Sequence, residues 1–253
     1  MLVTASKIRG YTNELKGLCY GMRAERLMDK ADKLHGKGKM ERAQKTYMKA
    51  HYSLTKEADL SKKRLERVPS AGAENLIHQA KCLERTNNYK DAVSIYKHVV
   101  DNYSGVHDPA SPPNRVIDVV YNSIKNPRDK LLACAMNGIE YELRFVVDLS
   151  KNNDSSSFLN EVKTELRDST TGFQVTPSIS NLIKIIDGHA GRAVGFANVA
   201  LKYADENARD NHEKTIRHSF ESASQTLGNL EGALAQATKP LTAAIENFGK
   251  PAQ

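Results

Sequence analysis

Apolar positions recur every three to four residues along nearly the whole chain, the spacing that lines one side of an α-helix. No stretch alternates apolar and polar residues in the way a half-buried strand does. The pattern predicts an all-α fold. Its clearest seams lie late in the chain. Ile216, Phe220, Ala223, Leu227, Leu230, Leu234 and Ala237 advance in 4-3-4-3-4-3 steps, and Leu182, Ile186, His189, Ala193, Phe196, Ala200 and Tyr203 form a second seam. Such steps keep one apolar line facing a neighbouring helix, so two long helices are expected to pack as an antiparallel hairpin. Asn207 and Asp210 interrupt the pattern, and Asp210-Asn211-His212-Glu213 has the form of a capping box that restarts a helix. Leu241, Ala244, Ile245 and Phe248 form a short amphipathic segment ending at Gly249, expected to fold back onto the pair.

Turn residues punctuate the rest. Gly36-Lys37-Gly38 predicts a turn and Pro69-Ser70-Ala71-Gly72 a break. Asn126-Pro127 and Thr176-Pro177 each place a capping residue before a proline suited to the first helical position. The run 151–157, Lys-Asn-Asn-Asp-Ser-Ser-Ser, has no apolar residue to bury and predicts a polar loop. Asp108-Pro109-Ala110-Ser111-Pro112-Pro113 is the expected boundary between a region 1–107 and a region 114–253.

The first region repeats itself. Leu27, Ala31, Leu34, Ala43, Tyr47 and Ala50 recur as Leu76, Ala80, Leu83, Ala92, Tyr96 and Val99, each 49 positions later. Small residues sit where two helices would cross, and an aromatic one turn on fills the space beside them. Ala43-x-x-x-Tyr47-x-x-Ala50 and Ala92-x-x-x-Tyr96-x-x-Val99, with the turn Thr86-Asn87-Asn88-Tyr89-Lys90-Asp91, resemble the tetratricopeptide family. The resemblance covers about 75 residues. It departs from the family in a period of 49 rather than about 34, in lacking the usual Trp, and in having Thr55 and Ser104 where Pro is frequent. Those departures fit equally a divergent relative, such as the SNAP-like vesicle-fusion adaptors or a microtubule-interacting-and-transport hairpin. The resemblance implies tetratricopeptide-like helical hairpins, here followed by the long-helix antiparallel bundle.

The additional length falls in one segment. Ala43, Tyr47, Ala50, Leu54, Ala58, Leu65 and Val68 share a side at helical spacing, so residues 40–68 are expected to form one continuous helix. At about 1.5 Å per residue it would reach on the order of 40 Å and project beyond an ordinary hairpin. On the opposite side Lys45, Lys49, Lys56, Lys63 and Arg67 fall within about 40° of one another, with Glu41, Asp59 and Glu66 on one flank. This basic stripe is the expected partner-binding surface. Charge over the chain supports that assignment. The net charge of +7 is made by residues 1–70, with 17 Lys and Arg against 8 Asp and Glu, while the remainder holds 20 against 22.

At 253 residues the chain is long enough to bury a real core as one large or two small domains. Cys19, Cys82 and Cys134 are widely spaced and form no CxxC pair, which argues against a disulfide framework or a structural zinc site. The first residues lack the apolar core of a secretory leader, and no stretch approaches the ~18 apolar residues of a membrane span. A cytoplasmic location is therefore expected.

Candidate chemistry is sparse. Ile186-Asp187-Gly188-His189-Ala190-Gly191 resembles the Asp-Gly-His-Gly-Gly type motif of metal-dependent Ser/Thr protein phosphatases, in which Asp187 and Gly188 would be ligands. That family is a β-sandwich with further Asp ligands far downstream, whereas only 62 residues follow Gly191 and no second Asp-Gly pair exists. The expectation is instead that Gly188, Gly191 and Gly195 admit a neighbouring helix, and that His189 is a hydrogen-bonded histidine of an apolar seam. His212 and His218 are six positions apart and leave the same helical face, and His78 with Cys82 supplies only two ligands. No nucleophile elbow, phosphate-cradling glycine loop or dinucleotide fingerprint is present, so no catalytic residue, metal or cofactor is expected. These features favour a non-enzymatic scaffold or adaptor that binds a protein or peptide through a helical-hairpin groove and a basic helix face. Nucleic-acid or anionic-membrane binding through residues 1–70 is the alternative, as is a self-assembling structural component, and homo-oligomerisation stays open.

Overall fold

A computed structural model describes residues 5–103, 127–151 and 177–228. Among them lie eight helices and no strand: α1 (Ala5–Gly36), α2 (Met40–Leu60), α3 (Lys62–Arg67), α4 (Pro69–Glu84), α5 (Tyr89–Tyr103), α6 (Pro127–Lys151), α7 (Pro177–Tyr203) and α8 (Glu206–Gly228). The all-α expectation holds. The prolines act as helix starters, with Pro69 in the first turn of α4 and Pro127 and Pro177 opening α6 and α7. None of the described helices is long and apolar enough to cross a membrane.

The 49-residue repeat is visible in the backbone. At the end of α1 the N–H groups of Lys37 and Lys39 both donate to Leu34 O, and that of Gly38 to His35 O. At the end of α4 those of Thr86 and Asn88 donate to Leu83 O, and that of Asn87 to Glu84 O. Every donor and acceptor is displaced by the same interval. Both turns need one residue in the left-handed region, filled by Gly38 at φ 70° and Asn87 at φ 63°. Glycine and asparagine adopt it at least cost. Asn88 then caps α5 by accepting from the Asp91 N–H at 3.4 Å and donating to Asp91 Oδ2 at 2.8 Å.

Small residues bring α1 and α2 together, and α4 completes their core. Ala24, Met28 and Ala31 of α1 meet Ala43, Tyr47, Ala50 and Leu54 of α2 and Cys82 of α4 in one buried cluster, with Leu27 and Leu34 packed at its edge. The partners run antiparallel, since Tyr47 pairs with Asp32 whereas Glu57 and Ser61 lie against Gly21 and Gly17. A Cβ on Gly17 would collide with Ser61 Oγ and lie 3.4 Å from Glu57 O. One on Gly21 would stand 2.8 Å from the Glu57 carboxylate. A larger residue at either position would require Ser61 or the Glu57 carboxylate to shift.

The expected continuous helix over 40–68 is interrupted. Ser61, at φ −103° and ψ 16°, leaves the helical region, although its N–H still donates to Glu57 O and its carbonyl accepts from the Leu65 N–H. The chain restarts as the six-residue α3, which contacts α4 where Leu65 O would be 3.2 Å from a Cβ on Gly72. Lys63 and Arg67 therefore ride on α3, separated from Lys45, Lys49 and Lys56 on α2. Val68, expected on the apolar side, is exposed.

The chain divides into two compact units, Met1–Cys134 and Ala135–Gln253. The first two turns of α6 thus belong with the hairpins, whereas the proline loop at 108–113 lies outside the described residues. In the second unit the seam of α7 is packed as expected, with Ile186, Ala193, Phe196, Ala200 and Tyr203 buried. Ile216, Phe220 and Ala223 of α8 are buried too, and α8 contacts α7. The restart of α8 comes earlier than expected. Asp205 O accepts from the N–H groups of Ala208 and Arg209, so Asn207 and Asp210 lie inside the first turns. The glycine expectation also needs correction: among the described residues a Cβ on Gly191 or Gly195 would meet nothing within 4 Å, whereas one on Gly138 of α6 would lie 2.8 Å from the Phe196 ring. Side chains at Leu182 and Leu227, the seam beyond it, the segment 241–249 and the polar run after Lys151 fall outside what is described.

Candidate functional site

Four helices of the first unit enclose a pocket of about 190 Å³. Leu18, Gly21, Met22 and Glu25 of α1 form one wall, Leu54 and Glu57 of α2 and Arg64 of α3 the next, and Ala71, Glu74, Asn75 and His78 of α4 the last. Small-molecule sites usually occupy about 300–1,000 Å³. This volume suits an inserted side chain better than a cofactor.

Most polar groups at its base are occupied with one another, although Arg64 Nε is buried without a hydrogen-bond partner among the described residues. Asn75 Nδ2, from a side chain buried on α4, donates to Leu54 O at 3.2 Å and to Glu57 Oε2 at 3.0 Å, and Asn75 Oδ1 accepts from Gln79 Nε2 at 2.6 Å. Arg64 Nη2 closes the network at 2.7 Å from Glu57 Oε1. The glycine at 21 leaves room for that carboxylate between α1 and α2. Glu57 and Arg64 thereby neutralise each other, and Glu25 and Glu74 remain as the acidic groups of the lining. Both act on His78, yet burial outweighs them and holds His78 below the ordinary imidazole range, so it is neutral at pH 7.

An exposed apolar row leads to the pocket along α1. Tyr11, Leu15, Leu18 and Met22, in 4-3-4 steps, are 65%, 64%, 40% and 54% exposed, while the opposite side of the helix buries Ala24, Met28 and Ala31. Both sides of α1 are apolar, and only one is covered by the described residues. The row was present in the sequence as a helical spacing, but spacing alone cannot say which of two apolar sides meets the core. The pocket itself has no sequence signature, because its lining comes from four helices at no fixed interval.

A second polar focus joins the hairpins. Asp32 of α1 accepts from the Tyr47 hydroxyl of α2 and pairs with Lys81 Nζ of α4 at 3.2 Å. Burial raises the Asp32 carboxyl, but the bond from Tyr47 and the Lys81 ammonium outweigh it and leave the group below the usual carboxylate range. The Cys82 thiol nearby is pushed up to about 12 by burial and is inert at neutral pH. All three cysteines are free.

The predicted basic stripe is exposed at Lys45, Lys49, Lys63 and Arg67, half-buried at Lys56, and partly spent. Lys45 bonds Glu41 at 2.6 Å, and Lys56 lies 3.9 Å from Asp59 and 5.7 Å from the centre of the Tyr52 ring. Lys49, Lys63 and Arg67 have no ion pair among the described residues. The triple reversal Lys49→Glu, Lys56→Glu and Lys63→Glu is expected to change stability by no more than about 0.5 kcal/mol, read by urea denaturation, because none of the three enters the core. A loss above about 1.5 kcal/mol would mean that these side chains support the fold.

In the second unit Asp187 is exposed on the interior of α7, so the phosphatase-like motif lies within a helix. His189 Nδ1 stands 2.5 Å from Glu142 Oε2 of α6. Arg192 Nη2, which only donates, lies 2.8 Å from the same Nδ1, so this nitrogen faces a donor as well as the Glu142 Oε2 acceptor. Arg192 Nη2 is 3.1 Å from the same oxygen, and the imidazole stacks on Phe145 with centroids 4.0 Å apart. The arrangement ties α6 to α7 within the seam. Among the described residues no group of three or more His, Cys, Asp or Glu is placed to hold a metal ion. No protein-family model matches the chain, and no curated protein or solved structure matches it.

Proposed function

We propose that the chain is a non-enzymatic interaction protein, a scaffold or adaptor whose tetratricopeptide-like hairpins receive a protein partner along α1. The observation that carries this reading is the exposed row Tyr11, Leu15, Leu18 and Met22 ending at a side-chain-sized pocket. A row of large apolar residues costs solubility when left in water, and its continuity at helical spacing matches the anchors of a helix laid into a groove. The repeated turn at Gly38 and Asn87 supports the kinship with tetratricopeptide hairpins, and the additional residues of the long period reside in α2 and α3.

Paired affinity purifications test the reading, one with the parent chain and one with Leu18→Asp/Met22→Asp. Both positions are exposed, so the variant is expected to keep its helical circular dichroism and lose at least one protein captured directly by the parent. Identical captures from the two chains would overturn it. Anionic surfaces are the rival partner class, favoured by Lys49 and Lys63, which have no ion pair among the described residues. Nucleic acid or anionic vesicles that bind the parent with a steep salt dependence, and bind the triple reversal more weakly, would establish that class instead.

A further inference from the structure

We infer that the α1 row and its pocket select an amphipathic helix bearing a lysine or arginine at the end that meets Glu25 and Glu74. This inference rests on the interaction reading above and deepens it by naming the partner's chemistry. The row spans Tyr11 to Met22, about 17 Å at 1.5 Å per residue, which is the length of some three helical turns. An occupant that covers it has apolar residues at the same 4-3-4 spacing.

Charge complementarity specifies the end residue. Of the ionisable groups lining the pocket, Glu57 and Arg64 are joined at 2.7 Å and His78 is neutral, which leaves Glu25 and Glu74 as uncompensated negative charge. Neither has an ion pair among the described residues. The remaining walls at Leu18, Met22, Leu54 and Ala71 are apolar. A hydrocarbon stem with a cationic head satisfies both demands, the stem lying on the apolar wall and the head reaching the carboxylates. A leucine would leave the two acids partly dehydrated without a partner, and a glutamate would be repelled. A volume of about 190 Å³ is enough to admit such a side chain.

A displayed library of helices about fourteen residues long, apolar at every third and fourth position and random elsewhere, is the probe. It is panned against the intact chain and against Glu25→Lys/Glu74→Lys. Clones from the parent are expected to carry Lys or Arg at one end of the apolar row, and clones from the reversed variant Asp or Glu. A synthetic parent clone is expected to bind Glu25→Gln/Glu74→Gln about tenfold more weakly by fluorescence anisotropy at low salt. If both proteins enrich the same clones, or the tenfold loss is missing while Leu18→Asp still abolishes binding, the charge selection is wrong and the groove stands. Clones that bind Leu18→Asp/Met22→Asp as well as the parent would overturn the groove itself. Failure to enrich any clone overturns both.

Discussion

Tyr47→Ala is expected to destabilise the first unit by about 3–5 kcal/mol, which is a large share of the stability of a domain this size. Tyr47 is fully buried between α1 and α2 at the small-residue crossing made by Ala31, Ala43 and Ala50. Its truncation leaves a cavity that the flanking alanines are too short to fill. Tyr47→Phe keeps the ring and removes only the hydroxyl, and about 1 kcal/mol is expected. The smaller effect has a pH signature. The Asp32 carboxyl, held below its ordinary range in part by that hydroxyl, contributes stability that is present above the unfolded-state value near pH 4 and is lost as pH falls through the folded value. The deficit of Tyr47→Phe is thus full at pH 7 and shrinks below about pH 4. Urea titrations at both pH values check this. A Tyr47→Ala loss under about 1.5 kcal/mol would mean that the crossing is loosely packed and that the repeat carries no structural weight.

The sequence made the repeat, the turns and the crossing residues legible because each depends on neighbours within one hairpin. Gly36-Lys37-Gly38 and Asn87-Asn88 announce their turns through backbone preferences, and Ala43, Tyr47 and Ala50 announce a crossing by size and spacing. Ser61 illustrates the opposite case. Nothing in Asp59-Leu60-Ser61-Lys62-Lys63 forbids a helix, and the interruption lies where Gly17 brings α1 so close that α2 has little room beside it. A distant glycine marks the place. The same interruption divides the basic stripe, whose register assumed a helix that continues through Ser61, between α2 and α3. Asp210 misled in another way: its capping-box form is real, but helix α8 had already begun at Glu206, behind the two-residue connection Ala204-Asp205. The pocket network of Glu57, Arg64, Asn75 and Gln79 was invisible because polar residues separated by 4 to 22 positions carry no periodic signal.

Gly138→Val is expected to cost the second unit about 3 kcal/mol, and the cost should fall to about 1 kcal/mol when Phe196 is first replaced by leucine. The Phe196 ring lies over the Gly138 backbone, where a Cβ would be 2.8 Å from Cδ2 and 2.9 Å from Cε2. Phe196 is itself buried, so it cannot swing into solvent to make room. Helix propensity acts against this penalty only weakly, since replacing a helical glycine gains at most about 1 kcal/mol. Overpacking therefore decides the sign. Leucine in place of Phe196 lacks the outer ring atoms that crowd Gly138, and the space it frees can take the valine methyls. Chemical denaturation of the two single variants and the double variant yields the coupling, expected to be about 2 kcal/mol in favour of the pair. Gly191→Val supplies the contrast: among the described residues a Cβ there meets nothing within 4 Å, so no comparable overpacking is expected. Additive effects of the Gly138 and Phe196 replacements would mean that the two positions do not touch, and that α6 and α7 are joined through Glu142, Phe145, His189 and Arg192 instead.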